Sequence, residues 1–350
     1  MNILYGVSGV GLGHLSRARL IARYLINKGH KIKILTYGQS FDDLNKEFDV
    51  LKINGMDISF QNGRIKRTKT IFSNIKNLFK FIIDFPQINS MIREFCPDVC
   101  ITDMELFTTI ISKVYFIPLI SIDNENILKN MSLWSIEKHR IDFLLSKLVV
   151  KIFAFRADYY IILSLLKPEI ARKRIFFVPP LIRTEVMGLS PKKSKIILVY
   201  LSRENSKVLE VLKNIPKKFL IYGYNIRKNE KNLEFKESST FLEDLKNCSM
   251  IIANSGFSLI SEAVYLKKPY LAIPIKEHFE QYLNSTMIKK IGFGNYYENF
   301  SINDFNDFIK NIHKYELLFK RNYYNFEKLF SVLDSILDKK NVKRRIFIGI

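Results

Sequence analysis

The stretch MNILYGVSGVGLGHLSRARLIARYLINKGHKIKILTYG, residues 1–38, decides the fold class. Residues 2–5 are an apolar run that reads as a buried strand. Glycines at 6, 9, 11 and 13 open a loop, and helical periodicity follows over about 15–28. Gly29 ends that helix, and residues 31–36 read as the next strand. Strand, glycine loop, helix and strand in that order predict a parallel β/α unit. The rhythm continues with strands at 98–102, entered after Pro97, at 116–122 and at 159–163. It breaks at FFVPPLIR (176–183), because two consecutive prolines stiffen a chain without supporting helix or central strand. After the polar SPKKSK (190–195), strands return at 195–201, 219–222, 250–253 and 270–273. The expectation is an α/β chain of two Rossmann-like, doubly wound domains facing a cleft. They span 1–178 and 184–325, with a helix and basic tail over 326–350 free to cross back to the first.

Composition agrees with that size. At about 150 residues per domain, 350 residues make roughly two. Apolar residues at 47% and charged residues at 25% exclude disordered, collagen-like and low-complexity chains. Lys and Arg number 55 against 34 acidic residues, a formal charge of +21 that attracts nucleic acid, a phospholipid surface or a phosphorylated substrate. A Lys-, Ile- and Asn-rich composition accounts for part of it. No nucleic-acid motif or basic–aromatic ribbon accompanies the charge, so no nucleic-acid partner is expected. Three cysteines (Cys96, Cys100, Cys248) make no disulfide framework, and the first two lack the partner pair of a zinc site. A reduced, cytoplasmic setting is the default. The N-terminus lacks a signal-peptide core, and the apolar stretch 144–166 is interrupted by Lys147, Lys151, Arg156 and Asp158. The chain is expected in the cytoplasm, or peripherally on the inner face of the membrane. The cluster RIKRTK (64–69) precedes Ile71, Phe72, Ile75, Leu78, Phe79, Ile82 and Ile83 at helical spacing. Such a stripe either rests on an anionic membrane or, more commonly, packs on its own sheet.

Two constellations carry chemistry. In GVSGVGLGHLSR (6–17), Gly11 and Gly13 let a ligand approach the backbone. The spacing departs from a dinucleotide fingerprint, and the second strand ends in Tyr37-Gly38-Gln39 with no acid. His14 stands at the loop mouth and titrates near neutrality, as a general base must. Asp103, directly after a strand, emerges at the same sheet edge and can hold the imidazole; the alternative is that each residue merely caps a helix. The second constellation is IIANSGFSLISEAVYLKKPYLAIPIKEHFEQYLN (251–284). Its turn Asn254-Ser255-Gly256 before a helix leaves free amides where a diphosphate could sit. Glu262, two turns into that helix, can accept hydrogen bonds from a ribose diol. Glu280, Gln281 and Asn284 suit sugar hydroxyls, which both donate and accept.

The second constellation resembles the donor-site signature of GT-B-fold, nucleotide-sugar-dependent glycosyltransferases. It is similar to that of the lipid II-forming N-acetylglucosaminyltransferases and of the glucuronosyl/glucosyltransferase superfamily. Ser255-Gly256, Ser261-Glu262, Pro269, Pro274, Glu280-Gln281 and Asn284 match in order and spacing, and GxGLGHLSR and PDVCITDMELF resemble a microbial branch of about this length. The resemblance implies an acceptor-side first domain and a donor-binding second domain. Ser255, Gly256, Phe257 and Ser258 would border the donor diphosphate, Glu262 would hold the ribose, and Glu280 and Gln281 would contact the donor sugar. STFLEDL (239–245) resembles the base-reading stretch, which puts Phe241 near uracil. His14 would deprotonate the acceptor hydroxyl with Asp103 behind it, beside Gly11, Gly13, Asp123 and Asn124 on the acceptor side. Asp123 and Asn124 also read as plain loop turns. Two departures stand out: Asn254 occupies a position where many relatives carry His, and SRENS (202–206) lacks the usual glycines, for which Arg203 would compensate by pairing with phosphate. The implied reaction is inverting and needs neither metal nor cofactor, the nucleotide sugar being a substrate and the acceptor a hydroxyl, lipid-linked or of the cell envelope. Glu105 reads as a helix N-terminal charge. The alternatives are a sugar-nucleotide epimerase of the same architecture and a non-enzymatic nucleotide-sugar or nucleic-acid binding protein.

Overall fold

A computed structural model describes residues 1–57, 59–61, 64–130, 138–166, 173–192, 194–202, 205–224, 228–319 and 325–338. They form two compact units. One holds residues 1–59, 66–181 and the described residues from 325 on; the other holds 60–65 and 182–324.

In the first unit, strands β1 (Asn2–Val7), β2 (Lys31–Thr36) and β3 (Val50–Lys52) alternate with helices α1 (Leu12–Asn27) and α2 (Gly38–Leu44). A two-residue hairpin of β4 (Phe60–Gln61) and β5 (Arg64–Ile65) groups with the second unit. The first unit continues through α3 (Arg67–Phe95), β6 (Val99–Asp103), α4 (Leu106–Val114), β7 (Leu119–Asp123), α5 (Ile127–Asn130), α6 (Arg140–Phe153), β8 (Tyr159–Leu163) and β9 (Ile175–Val178). The sheet runs β3-β2-β1-β6-β7-β8-β9, parallel throughout. Every residue of β6 and β7 is buried, the signature of strands covered on both faces. Strand order reverses between β1 and β6, so the loops leaving these two neighbours go to opposite faces and open a crevice at their carboxyl ends.

The second unit contains α7 (Thr184–Met187), β10 (Ile197–Tyr200), α8 (Ser206–Lys213), β11 (Phe219–Tyr222), β12 (Leu233–Phe235), α9 (Phe241–Asn247) and β13 (Met250–Ala253). It continues with α10 (Phe257–Tyr265), β14 (Tyr270–Ala272), α11 (Phe279–Ile291), β15 (Gly294–Tyr296) and α12 (Ile302–Phe319). Its parallel sheet runs β12-β11-β10-β13-β14-β15 and reverses between β10 and β13. Phe305, Phe308 and Tyr315 of α12 close its core over Ile197, Val199 and Phe219. The last helix, α13 (Lys328–Leu337), belongs to the first unit, where it buries Leu329, Leu333 and Ile336 and packs on β8 and β9. Phe330 stacks on Tyr24 of α1 at 4.2 Å, and the Tyr24 hydroxyl donates to Asp334 at 2.7 Å.

Three local expectations change. α1 begins at Leu12 rather than 15, which brings His14 into its first turn. The fourth strand starts at Leu119; Phe116 has φ 54° and belongs to the preceding turn. The stripe of α3 divides in two. Ile88, Met91 and Ile92 pack with Phe107 and Ile111 of α4, but Phe72, Phe79 and Ile83 remain 74%, 67% and 76% exposed. The N-terminal part therefore does not pack on its own sheet. The side chains of Ile71 and Leu78 lie outside the described ones. No helix among the described residues is long and apolar enough to cross a membrane.

Close approach at the switch point depends on Gly6 in β1. A Cβ there would stand 2.0 Å from the Thr108 hydroxyl oxygen of α4 and 2.9 Å from Glu105. Gly6→Ala is expected to cost about 1–3 kcal/mol through overpacking, read as a lowered urea midpoint at an unchanged m-value.

Candidate active site

In the first unit, Val7 and Asp103 are register partners at the carboxyl ends of β1 and β6. The loop after β1 turns into α1 through Gly11, whose φ of +94° favours glycine and which caps the helix without a side chain. Gly13 sits in the first turn, its carbonyl accepting from Ser16. His14 thereby hangs over the end of β6, its Nδ1 2.7 Å from Asp103 Oδ1. The two residues are brought together as a pair and do not act as separate helix caps.

Asp103 is wholly buried and is also gripped by Arg17, one turn beyond His14. Arg17 Nε donates to Oδ2 at 2.7 Å and a terminal nitrogen to Oδ1 at 2.6 Å. That nitrogen also lies 3.0 Å from His14 Nδ1. The ionised carboxylate can only accept, so Nδ1 carries the hydrogen and donates it to Asp103. Nε2 is left as the basic nitrogen. Burial opposes ionisation of Asp103, yet Arg17 and His14 outweigh it and hold its pKa below the usual carboxylate value. Burial likewise works against a charged His14. Asp103 at Nδ1, with Glu125, more than offsets this against Arg17, and the imidazole pKa ends above 6.5.

Glu125 was not singled out from sequence. Its Oε1 lies 3.6 Å from His14 Nε2, so carboxylates face both ring nitrogens. Its Oε2 accepts from the Asn124 amide at 3.1 Å. Asn124 in turn accepts from Arg17 at 3.3 Å, and its side chain braces the arginine. Asp123 is fully buried: its carboxylate accepts from Ser121 at 2.7 Å and from the Asn126 backbone at 2.7 Å. These bonds shape the turn after β7. Glu105 caps α4, accepting from Phe107 and Thr108 at 2.8 and 2.6 Å.

In the second unit, the turn after β13 is held from beneath. Asn254 accepts from the Ser202 amide at 2.9 Å and donates to the Ile273 carbonyl at 2.8 Å, tying together the exits of β10, β13 and β14. Gln281 Oε1 accepts from the Ser255 and Ile275 amides at 3.2 and 3.0 Å. Asn284 donates to the Ser255 carbonyl at 3.0 Å, and the Ser255 and Ser285 hydroxyls meet at 2.5 Å. Ser255, Gln281 and Asn284 are thus struts of the turn. Above them, Gly256 caps α10 without a side chain, and a Cβ there would meet nothing within 4 Å. The first-turn amides therefore lack a side-chain cap beside an open face. Phe257 is buried at the start of α10 and Ser258 partly exposed beside it.

Glu262 is buried and bound two-pronged by Arg183, from Nε at 2.6 Å and a terminal nitrogen at 2.8 Å. Arg183 sits on the Pro-rich connection, where no local sequence signal marked it. Phe241 opens α9 and stands edge-on to Tyr200 and Tyr222, with centroids 5.7 and 5.1 Å away at the ends of β10 and β11. Glu280, in the first turn of α11, accepts from Asn284 at 3.3 Å. Arg203 lies outside the described residues. Arg17 was legible as the i+3 neighbour of His14 on one helical face.

Two measurements probe the first cluster. By NMR, Glu125→Gln should lower the His14 pKa, since a carboxylate favouring imidazolium is removed. The same sign governs stability: the contribution of His14 is fully present below its unfolded pKa of about 6.5 and is lost as pH rises through the higher folded value. Arg17→Met strands a buried carboxylate and should lower unfolding free energy by about 3–5 kcal/mol in denaturant melts.

The model of glycosyl transferase family 1 matches residues 1–313. Two proteins described as uncharacterized glycosyltransferases are similar over their length. One, from Methanosarcina acetivorans, is 26% identical over 84% of this chain and 85% of its own; the other, from Methanosarcina mazei, is 27% identical over the same shares. Among solved structures, the spinosyn rhamnosyltransferase SpnG superposes with a TM-score of 0.65 at 13% identity, over 95% of this chain and 100% of that one. MurG of Acinetobacter baumannii superposes with a TM-score of 0.61 at 12% identity, over 96% and 100%. The glycosyltransferase VinC, solved with dTDP, gives 0.59 at 12%, over 95% and 99%. The two parallel sheets, each with its switch point, are the GT-B architecture of these enzymes. With nine-tenths of its length matched, this chain belongs to glycosyl transferase family 1 and is a sugar-transferring enzyme.

Proposed function

We propose that the enzyme moves a sugar from a nucleotide-diphosphate donor, UDP-linked on the reading of Phe241, to an acceptor hydroxyl with inversion at the anomeric carbon. The observation that carries this reading is His14 Nδ1 at 2.7 Å from the buried Asp103, which leaves Nε2 as a base at the mouth of the first crevice. In the proposed step the acceptor proton goes to Nε2 and the acceptor oxygen bonds the anomeric carbon. The carbon–oxygen bond to the diphosphate breaks, and the nucleotide diphosphate leaves with the electron pair. One displacement with one base inverts the centre. Asp103 stabilises the resulting imidazolium, as in other carboxylate–histidine pairs.

The leaving diphosphate is assigned to the first turn of α10, around Gly256 and Ser258. Uncapped amides and the helix dipole meet its charge there without a metal. Glu262 is assigned to the ribose. The fork of Arg183 orients its carboxylate, and each oxygen keeps a further lone pair for a hydroxyl. Phe241 with Tyr200 and Tyr222 offers an aromatic wall to the base. Glu280 is assigned to the donor sugar, while Gln281 acts through the Ser255 amide it holds. Nucleotide diphosphate bound to VinC supports the donor class. The acceptor is proposed to be lipid-linked, in keeping with the +21 charge and the exposed apolar part of α3.

His14→Ala should lower transfer about 10²–10⁴-fold while sparing nucleotide binding. Nucleotide binding is checked by thermal shift, where ligand at 100 times its dissociation constant adds about 2.7 kcal/mol. Turnover that survives the substitution removes His14 as the base. Epimer formation from UDP-sugar alone replaces transfer with epimerisation.

A further inference from the structure

α6 inverts the usual arrangement of a surface helix. Its apolar residues recur at three- and four-residue steps, but they face outward: Ile141, Leu144, Leu148 and Ile152 are 67%, 62%, 53% and 45% exposed. Leu145 and Val149 widen the stripe, and Phe155 continues it past the helix end. Only Val150 of the helix is fully buried. A globular helix ordinarily turns such a stripe to the core. Cations border it. From residue 138 to 156 the chain carries Lys138, Arg140, Lys147, Lys151 and Arg156 against a single acid, Asp142, which lies 3.8 Å from His139.

The stripe has a neighbour of the same character. α3, α4 and α6 all lie on the crossovers from β3 through β8 beyond the switch point, and right-handed crossovers set them on one face of the sheet. α4 touches both: Phe107 and Ile111 pack with Ile88 and Ile92 of α3, and α4 also packs on α6. Phe72 and Phe79 of α3 are exposed on this layer, with the exposed Lys66, Lys69 and Lys76 among them.

We propose that this helical layer, chiefly through α6, docks on an anionic phospholipid surface. The apolar stripe enters the acyl boundary and the flanking lysines and arginines meet the headgroups. Charge decides between this occupant and a second copy of the chain. A two-fold interface would lay one basic margin against its equal, with like charges opposed at short range. An anionic bilayer pairs both features at once. As the place where a lipid-linked acceptor is met, the surface rests on the proposed transfer reading; as a docking surface it stands on α6.

The test is flotation of the full chain with vesicles of phosphatidylcholine alone and with about 30% phosphatidylglycerol, at low and high salt. The chain is expected to float with the anionic vesicles at low salt and to stay down with neutral ones. Leu144→Ser with Leu148→Ser, and separately Lys151→Glu with Arg156→Glu, should each weaken binding about tenfold or more. These side chains are exposed, so the variants keep the fold, which a melt of each confirms. His14→Ala must float as the parent does, and transfer to a soluble acceptor must be unchanged in the α6 variants. That separates the docking surface from the transfer chemistry. A parent chain that stays down with anionic vesicles overturns the proposal. So does flotation unaffected by both double variants, or a dimer that Leu144→Ser with Leu148→Ser converts to monomer.

Discussion

The contact that organises the first unit's switch point is the buried carboxylate of Asp103 held between Arg17 and His14. A carboxylate with no exposure would be neutral, or would destabilise the fold, unless a cation and hydrogen-bond donors met it. Arg17 occupies Oδ2 and shares Oδ1, so the negative charge is largely compensated before the imidazole is considered. His14 then receives a hydrogen-bond acceptor with a moderated field, and its pKa is set by a balance of burial, two carboxylates and one guanidinium. The two carboxylates prevail over burial and Arg17, and the imidazole pKa ends above its ordinary value.

Geometry follows from topology at this point. Asp103 ends β6 and His14 opens the helix after β1, its register partner, so the pair forms wherever strand order reverses between those two strands. The second unit repeats the device with a different content. Between β10 and β13, the turn 254–256 carries no ionic pair. It carries backbone amides kept in place by side-chain amides of Asn254, Gln281 and Asn284. One switch point presents a titratable nitrogen, and the other presents oriented dipoles.

The strut residues alter the division of labour expected for the donor half. Carboxamides and hydroxyls that suit sugar hydroxyls also suit other protein groups, and in this turn Gln281 and Asn284 bond the backbone while the Ser255 hydroxyl meets that of Ser285. Glu262 is likewise committed to Arg183 on at least one lone pair of each oxygen. Rigidity of the turn is what these contacts provide. A diphosphate site built from amides works only if the amides do not have to reorient during the reaction.

Residues 1–38 and the strand–helix alternation beyond them were enough to reveal two parallel α/β units, because period and glycine punctuation are local properties of the chain. The motif residues His14, Asp103, Gly256 and Glu262 were legible for the same reason, each standing at a strand end or in the first turns of a helix. What surrounds them was not. Glu125 reaches His14 across 111 positions and Arg183 reaches Glu262 across 79, and no local pattern encodes a partner at such separation. Periodicity also showed that α3 has an apolar face, and the 144–166 stretch read as apolar, but neither reading said which way the side chains turn. Only packing decided that: α4 covers the C-terminal part of α3, while the outer stripe of α6 stays in water. A helix's own sequence specifies a stripe, and its neighbours in space specify whether that stripe becomes core or surface.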